Sequence, residues 1–129
     1  MAVAIALPEV DGRSAVALKA FGRIVQDWGL TLTEAAALAD MSESTWKRAK
    51  KPGFAGDLTH DQMLRLSAVI GIYKALQLYF GNEIAQSWVR LPNQGPLFGG
   101  AHPVGTMIED GLPQFLRVRD YLDALRGGM

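Results

Sequence analysis

Residues 31–51 read TLTEAAALADMSESTWKRAKK, and the spacing inside this stretch decides what the chain builds. Thr31 and Glu34 stand three apart, so each side chain can bond an orphan backbone donor at the other's position and open a helix. The interior that follows, Ala35 to Ala39, is a strong helix former with a thin profile. Asp40-Met41-Ser42 makes a short turn, and a second helix starts at Ser42 and is stopped by Pro52-Gly53. A short Ala-rich helix, a tight turn and a helix with small polar residues at its front have the spacing of a helix-turn-helix. Ala35, Ala36 and Ala39 let the two helices approach, Met41 can plug the turn, and Thr45, Trp46 and Ala49 lie near a packing face. If the motif reads DNA, Glu43, Ser44 and Lys47 project toward base edges with Thr45 beside them, and Arg48, Lys50 and Lys51 reach phosphates. KRAKK puts four cations in five residues of an otherwise neutral chain. The plainer reading is a helical hairpin whose solvated basic end complements the helix dipole.

Outward from this motif the pattern stays helical, and the fold class it predicts is all-α. Residues 1–12 read as an N-terminal arm. Ser14 can cap a helix to Trp28 that turns Leu18, Phe21, Val25 and Trp28 to one side, with Gly29 closing it. FAGDL is a linker. Thr59 and Gln62 form a second capping-box pair ahead of a long helix, His60 to Phe80, with a stripe of Met63, Leu66, Ile70, Tyr73, Leu76 and Phe80. Gly81 breaks it, Asn82 can cap a fifth helix to about Leu91, and Pro92 ends that one. Pro103 suits a first helical turn, and a short helix runs to Asp110, closed by Gly111. Pro113 starts the last helix, with Phe115, Val118, Leu122 and Leu125 inward and Gly127-Gly128 at its end. No alternating run is long enough for a convincing strand.

Composition narrows the function classes. The chain has 129 residues, 49% apolar and 20% charged, so a packed core is expected. Thirteen basic residues balance thirteen acidic ones, and no global field points to nucleic acid. With no cysteine there is no disulfide or thiolate site, which fits a reducing cytoplasm. The apolar start MAVAIALP lacks a basic leader region, and charged or polar residues interrupt the nearest approach to a membrane span. His60 and His102 have no metal-ligand spacing, no GxSxG elbow exists, and adjacent Glu109 and Asp110 point apart on a helix. An enzyme is not expected, nor a cofactor or metal.

Residues 88–103, WVRLPNQGPLFGGAHP, remain. They hold three prolines and three glycines, yet also Trp88, Val89, Leu91, Leu97 and Phe98. The stretch has no GxxxxGK[ST] spacing and no nearby lysine, so a phosphate loop is disfavoured. It is either a packed corner of the core or a surface presented to a partner. The last helix adds Arg117, Arg119 and Arg126. The latter two share a face seven residues apart, with Asp123 placed to pair with Arg119.

From Trp88 onward the chain resembles the toxin-binding domain of the Xre/ParS/MbcA antitoxin family. The resemblance rests on Trp88, Pro92-Asn93, Phe98-Gly99-Gly100, Pro103 to Ile108, Gly111 and the closing VRDYLDALRGG of residues 118–128, and covers about residues 82–129. TEAAALADMSESTWKRAKK is similar to that family's N-terminal helix-turn-helix. Two departures stand out: Gln94-Gly95-Pro96 lengthens the loop, and Met129 sits where an aromatic residue often ends the chain. The resemblance implies a type II antitoxin whose cognate partner is a RES-domain toxin that consumes NAD. It implies neutralisation by direct binding and operon repression through the N-terminal half. Residues 13–80 would then form the DNA-binding domain and 81–129 the toxin-binding domain.

The toxin-facing candidates are Asn93, Leu97, Phe98 and Gly100 in the loop and Arg117, Arg119, Arg126, Gly127, Gly128 and Met129 on the last helix and tail. Aromatic and arginine side chains are the usual anchors of interfaces, and a tail this short past the helix can reach into a concave partner. So few cations bind operator DNA weakly on a monomer, so a homodimer is expected. A second reading is a stand-alone helix-turn-helix repressor whose C-terminal half only dimerises. A small hydrolase is a distant third.

Overall fold

The computed structural model describes residues 2–127, with side chains described from Gly12 onward. Seven α-helices follow one another: α1 (Ala2–Trp28), α2 (Leu32–Ala39), α3 (Glu43–Ala49), α4 (His60–Phe80), α5 (Asn82–Ser87), α6 (Pro103–Asp110) and α7 (Leu112–Gly127). A 3-10 turn, Trp88–Arg90, tightens the end of α5. The described residues contain no strand, as the pattern predicts.

Local chemistry sets most of the helix ends. The Thr31 hydroxyl accepts from Glu34 N at 3.1 Å, and Glu34 Oε1 accepts from Thr31 N at 3.0 Å. The Thr59 and Gln62 pair does the same for α4 at 3.0 and 2.9 Å. Gly29, at φ 66°, closes α1 with Leu30 N donating back to Val25 O. The turn between α2 and α3 opens on Asp40 at φ 56°, a left-handed position that a short polar side chain tolerates.

Two starts differ from the sequence reading. α1 begins at Ala2, so the Ser14 cap is corrected, and the segment expected as an N-terminal arm is helical from Ala2 onward. Ala2, Ala4 and Ala6 favour the helix. Ser14 is buried in mid-helix. Asn82 is the first residue of α5 rather than its cap, and its Oδ1 accepts from Gln77 Nε2.

α4 is the centre of the molecule, packing against α1, α2, α5 and α7. A helix covered on several sides has no single buried stripe. Leu66, Ala68, Val69, Ile72, Ala75 and Leu76 are buried, while Met63, Ile70 and Tyr73 are partly covered and Phe80 is 36% exposed at the end. Phe21, Trp28 and Trp46 are buried, Phe21 of α1 edge-on to Trp46 of α3 and Trp28 of α1 edge-on to Tyr73 of α4, and a fully buried ring such as Phe21 contributes roughly 1.5–3 kcal/mol by leaving water. Phe115, Val118 and Leu122 seat α7 on the core. Leu125, expected inward, is 38% exposed, because α4 ends at Phe80 and offers it no further cover.

Candidate functional site

The first site is the outer face of α3. Ser42 caps the helix by accepting from Thr45 N at 3.1 Å. Trp46 and Ala49 are buried, with the Trp46 ring edge-on to Phe21 at 5.2 Å, and this anchor fixes the rotation of the helix. Glu43, Ser44, Lys47, Arg48 and Lys51 therefore lie outside, and Lys50 sits on the flank, all exposed. Among the described residues the ion pairs are Arg65–Asp61, Arg90–Glu34 and Arg119–Asp123, so the four cations of KRAKK are left to solvent. Glu43 Oε2 accepts from Thr33 Oγ1 at 3.2 Å and ties the front of α3 to α2. Thr45 is half-buried, and its hydroxyl accepts from Ser42 Oγ at 2.9 Å and Arg48 Nη2 at 3.4 Å, so it supports the cap more than it faces outward.

The second site is the corner between Leu91 and His102. Its backbone is pinned: Asn93 N donates to Ala101 O at 3.1 Å, Gly100 N to Asn93 O at 2.8 Å, and Gly95 N to Asn93 Oδ1 at 2.8 Å. Gly100, at φ 92°, takes a conformation other residues rarely adopt. Phe98, expected to face the toxin, is a correction. It is 4% exposed, edge-on to Trp88 at 5.7 Å and to Tyr121 at 5.8 Å, so the ring closes the core rather than meeting a partner. Asn93 and Leu97 are half-buried and serve the same corner. The exposed part of the loop is Leu91 at 55%, with Pro92, Gln94, Pro96 and Gly99, none of which stands among the toxin-facing candidates named from the sequence. His102 is the cap of α6, its Nδ1 accepting from Gly105 N at 3.2 Å.

The third element is the far end of α7. Arg117, Arg119, Arg126 and Gly127 are exposed; Gly128 and Met129 lie outside the described residues. Arg119 Nε stands 4.0 Å from Asp123 Oδ2, as the i, i+4 spacing predicts. Three partners went unseen in the sequence. Buried Gln114 donates to Thr106 Oγ1 at 3.1 Å and Leu97 O at 3.5 Å, joining α7, α6 and the corner. Tyr121, three residues after buried Val118, could have been found by its spacing. Tyr79, from α4, meets Arg126 and Asp123.

The sites are held in one body. Trp28 Nε1 donates to Ala85 O at 2.8 Å across a buried contact. The Tyr73 hydroxyl donates to Asp27 Oδ2 at 2.6 Å. Arg90 Nη1 donates at 3.0 Å to the same Glu34 oxygen that completes the α2 cap. Burial pushes the Glu34 carboxyl up, but the Thr31 backbone donor, Arg90 and the Thr31 hydroxyl outweigh it, and the net shift is downward.

Residues 12–71 match the antitoxin Xre-like helix-turn-helix domain, and residues 75–128 match the antitoxin Xre/MbcA/ParS C-terminal toxin-binding domain. A relative described as uncharacterized protein y4oB, from Sinorhizobium fredii (strain NBRC 101917 / NGR234), is 40% identical over 113 residues, covering 86% of this chain and 84% of that protein. Among the described residues no helix is long and apolar enough to cross a membrane.

Proposed function

Because the chain belongs to the Xre/MbcA/ParS antitoxin family, it is the antitoxin of a toxin-antitoxin pair, and we propose that its toxin is a RES-domain protein that consumes NAD. The chain acts by binding in the cytoplasm rather than by catalysis. Residues 81–129 engage the toxin, and residues 13–80 repress the operon as one half of a homodimer. The observation that carries the toxin-facing assignment is the end of α7, where Arg119 and Arg126 stand exposed on one side of a helix locked to the core by Phe115, Val118 and Leu122. Such a preformed surface loses little entropy on binding. The cations of Lys47, Arg48, Lys50 and Lys51, exposed and in no ion pair among the described residues, support the DNA assignment.

The test is co-expression with the RES-domain protein encoded next to the chain. A stable complex and restored growth are expected. Deleting Arg126 to Met129 should weaken neutralisation and leave the melting temperature unchanged. Full neutralisation by the truncated chain would remove the tail from the mechanism, and operator binding with no toxin complex would favour a stand-alone repressor.

A further inference from the structure

Gly71 lies in the middle of α4, half-buried, with an ordinary helical backbone that does not require glycine. The space a side chain would need there is taken by Arg119. A Cβ built on Gly71 would collide with Nη1 and Cζ of that guanidinium, the far end of a flexible chain. Eight residues along the same helix, the Tyr79 ring lies 5.7 Å from Cζ of Arg126, and its hydroxyl donates to Asp123 Oδ1 at 3.3 Å. The other Asp123 oxygen stands 4.0 Å from Arg119 Nε. α4 thus seats both arginines, one in a gap and one on a ring, with Asp123 between them.

We propose that Gly71 and Tyr79 are positioning residues of the toxin-binding surface, holding the guanidinium groups of Arg119 and Arg126 as a fixed pair for two acidic groups on the partner. The inference rests on the reading that this end of α7 meets the toxin. Seven residues of helix separate the two arginines by about 10 Å along one face. An arginine held in advance loses less rotamer freedom on binding, and its planar guanidinium can take a carboxylate through two donors. Ring contact under Arg126 strengthens as the partner excludes water. Neither Gly71 nor Tyr79 needs to touch the toxin for this to work.

The effect of Gly71→Ala separates positioning from a merely structural role. Alanine is the better helix former, and only the mobile end of Arg119 must move. Full-length variants are measured by thermal melting and by affinity for the purified RES-domain protein encoded beside the chain. Gly71→Ala should melt at or above the unaltered temperature yet bind about 10-fold more weakly, approaching the roughly 30-fold loss expected of Arg119→Ala at an interface anchor. It should add nothing in an Arg119→Ala background. Tyr79→Leu should weaken binding by roughly 3- to 30-fold, and Tyr79→Phe, which keeps the ring, should restore most of it. Full-strength binding by Gly71→Ala while Arg119→Ala is impaired, or additive losses for Tyr79→Leu with Arg126→Ala, would overturn the positioning roles alone. If the unaltered chain does not bind, or neither arginine substitution weakens it, the toxin-facing surface itself is wrong and the proposal falls with it.

Discussion

At residue 98 one ring closes the corner that prolines and glycines open. Phe98 is wedged edge-on between Trp88 and Tyr121, and its loss leaves a cavity that pinned backbone on both sides cannot fill. Phe98→Ala should cost about 3–5 kcal/mol, read as a lower denaturant midpoint at unchanged slope. Unaltered stability with lost toxin binding would put the ring on the surface instead. Tyr73 makes a second residue-scale prediction. Burial first, then the bond to Asp27 and its charge, push the phenol up to about 12 against the opposing charge of Arg23. The folded value lies above the ordinary value of 10.0, so the folded state holds this proton more tightly. The contribution is complete below about pH 10 and is lost as pH rises from there toward about 12. Tyr73→Phe should flatten that alkaline decline in melting temperature and lower stability at pH 7 by about 1.5 kcal/mol. A decline as steep as in the unaltered chain would assign it to other groups.

At the scale of elements, α3 owes its orientation to Trp46 and its start to Ser42, and both were legible because they act within a few residues. The two capping boxes, the Pro103 start and the Gly111 stop of α6 were legible for the same reason. What could not be read was anything joining distant elements. Glu34 advertises its bond to Thr31, three residues away, but not its bond to Arg90, 56 residues away. Phe98 looked presentable because its neighbours are turn formers, and only the chain's return through Tyr121 shows it covered. α4 carried more apolar positions than one stripe needs, and the surplus was the sign of a helix with neighbours on several sides. The rotation of α3 yields its own prediction. Arg48→Ala with Lys51→Ala should weaken operator binding across sequences and reduce the salt slope by about 2, roughly one for each phosphate no longer neutralised. An unchanged slope in a titration from low to physiological salt would move the DNA-binding role off this face.

For the whole molecule, the question is whether the two halves are modules on a string or one folding unit. α4 supplies core side chains to both, and the boundary between the two family matches falls inside it. Trp28 in α1 gives its indole proton to the Ala85 carbonyl of α5, so the N-terminal core is completed by a C-terminal element. Arg90 braces the α2 cap from the other half. Removing α5 to α7 would strip the face of α4 that α7 covers and leave a buried indole N–H without its acceptor, a loss of roughly 1–3 kcal/mol before any apolar exposure is counted. Small domains of this size have little stability to spare. A chain ending at Gly81 should therefore lose its cooperative melt, although it keeps the entire helix-turn-helix. The intact protein should unfold in one transition, coincident by helical circular dichroism and by the fluorescence of Trp28, Trp46 and Trp88. Two separated transitions, or a truncated chain melting sharply at the full-length temperature, would show that the halves fold independently and that bonds such as Trp28 to Ala85 only dock them.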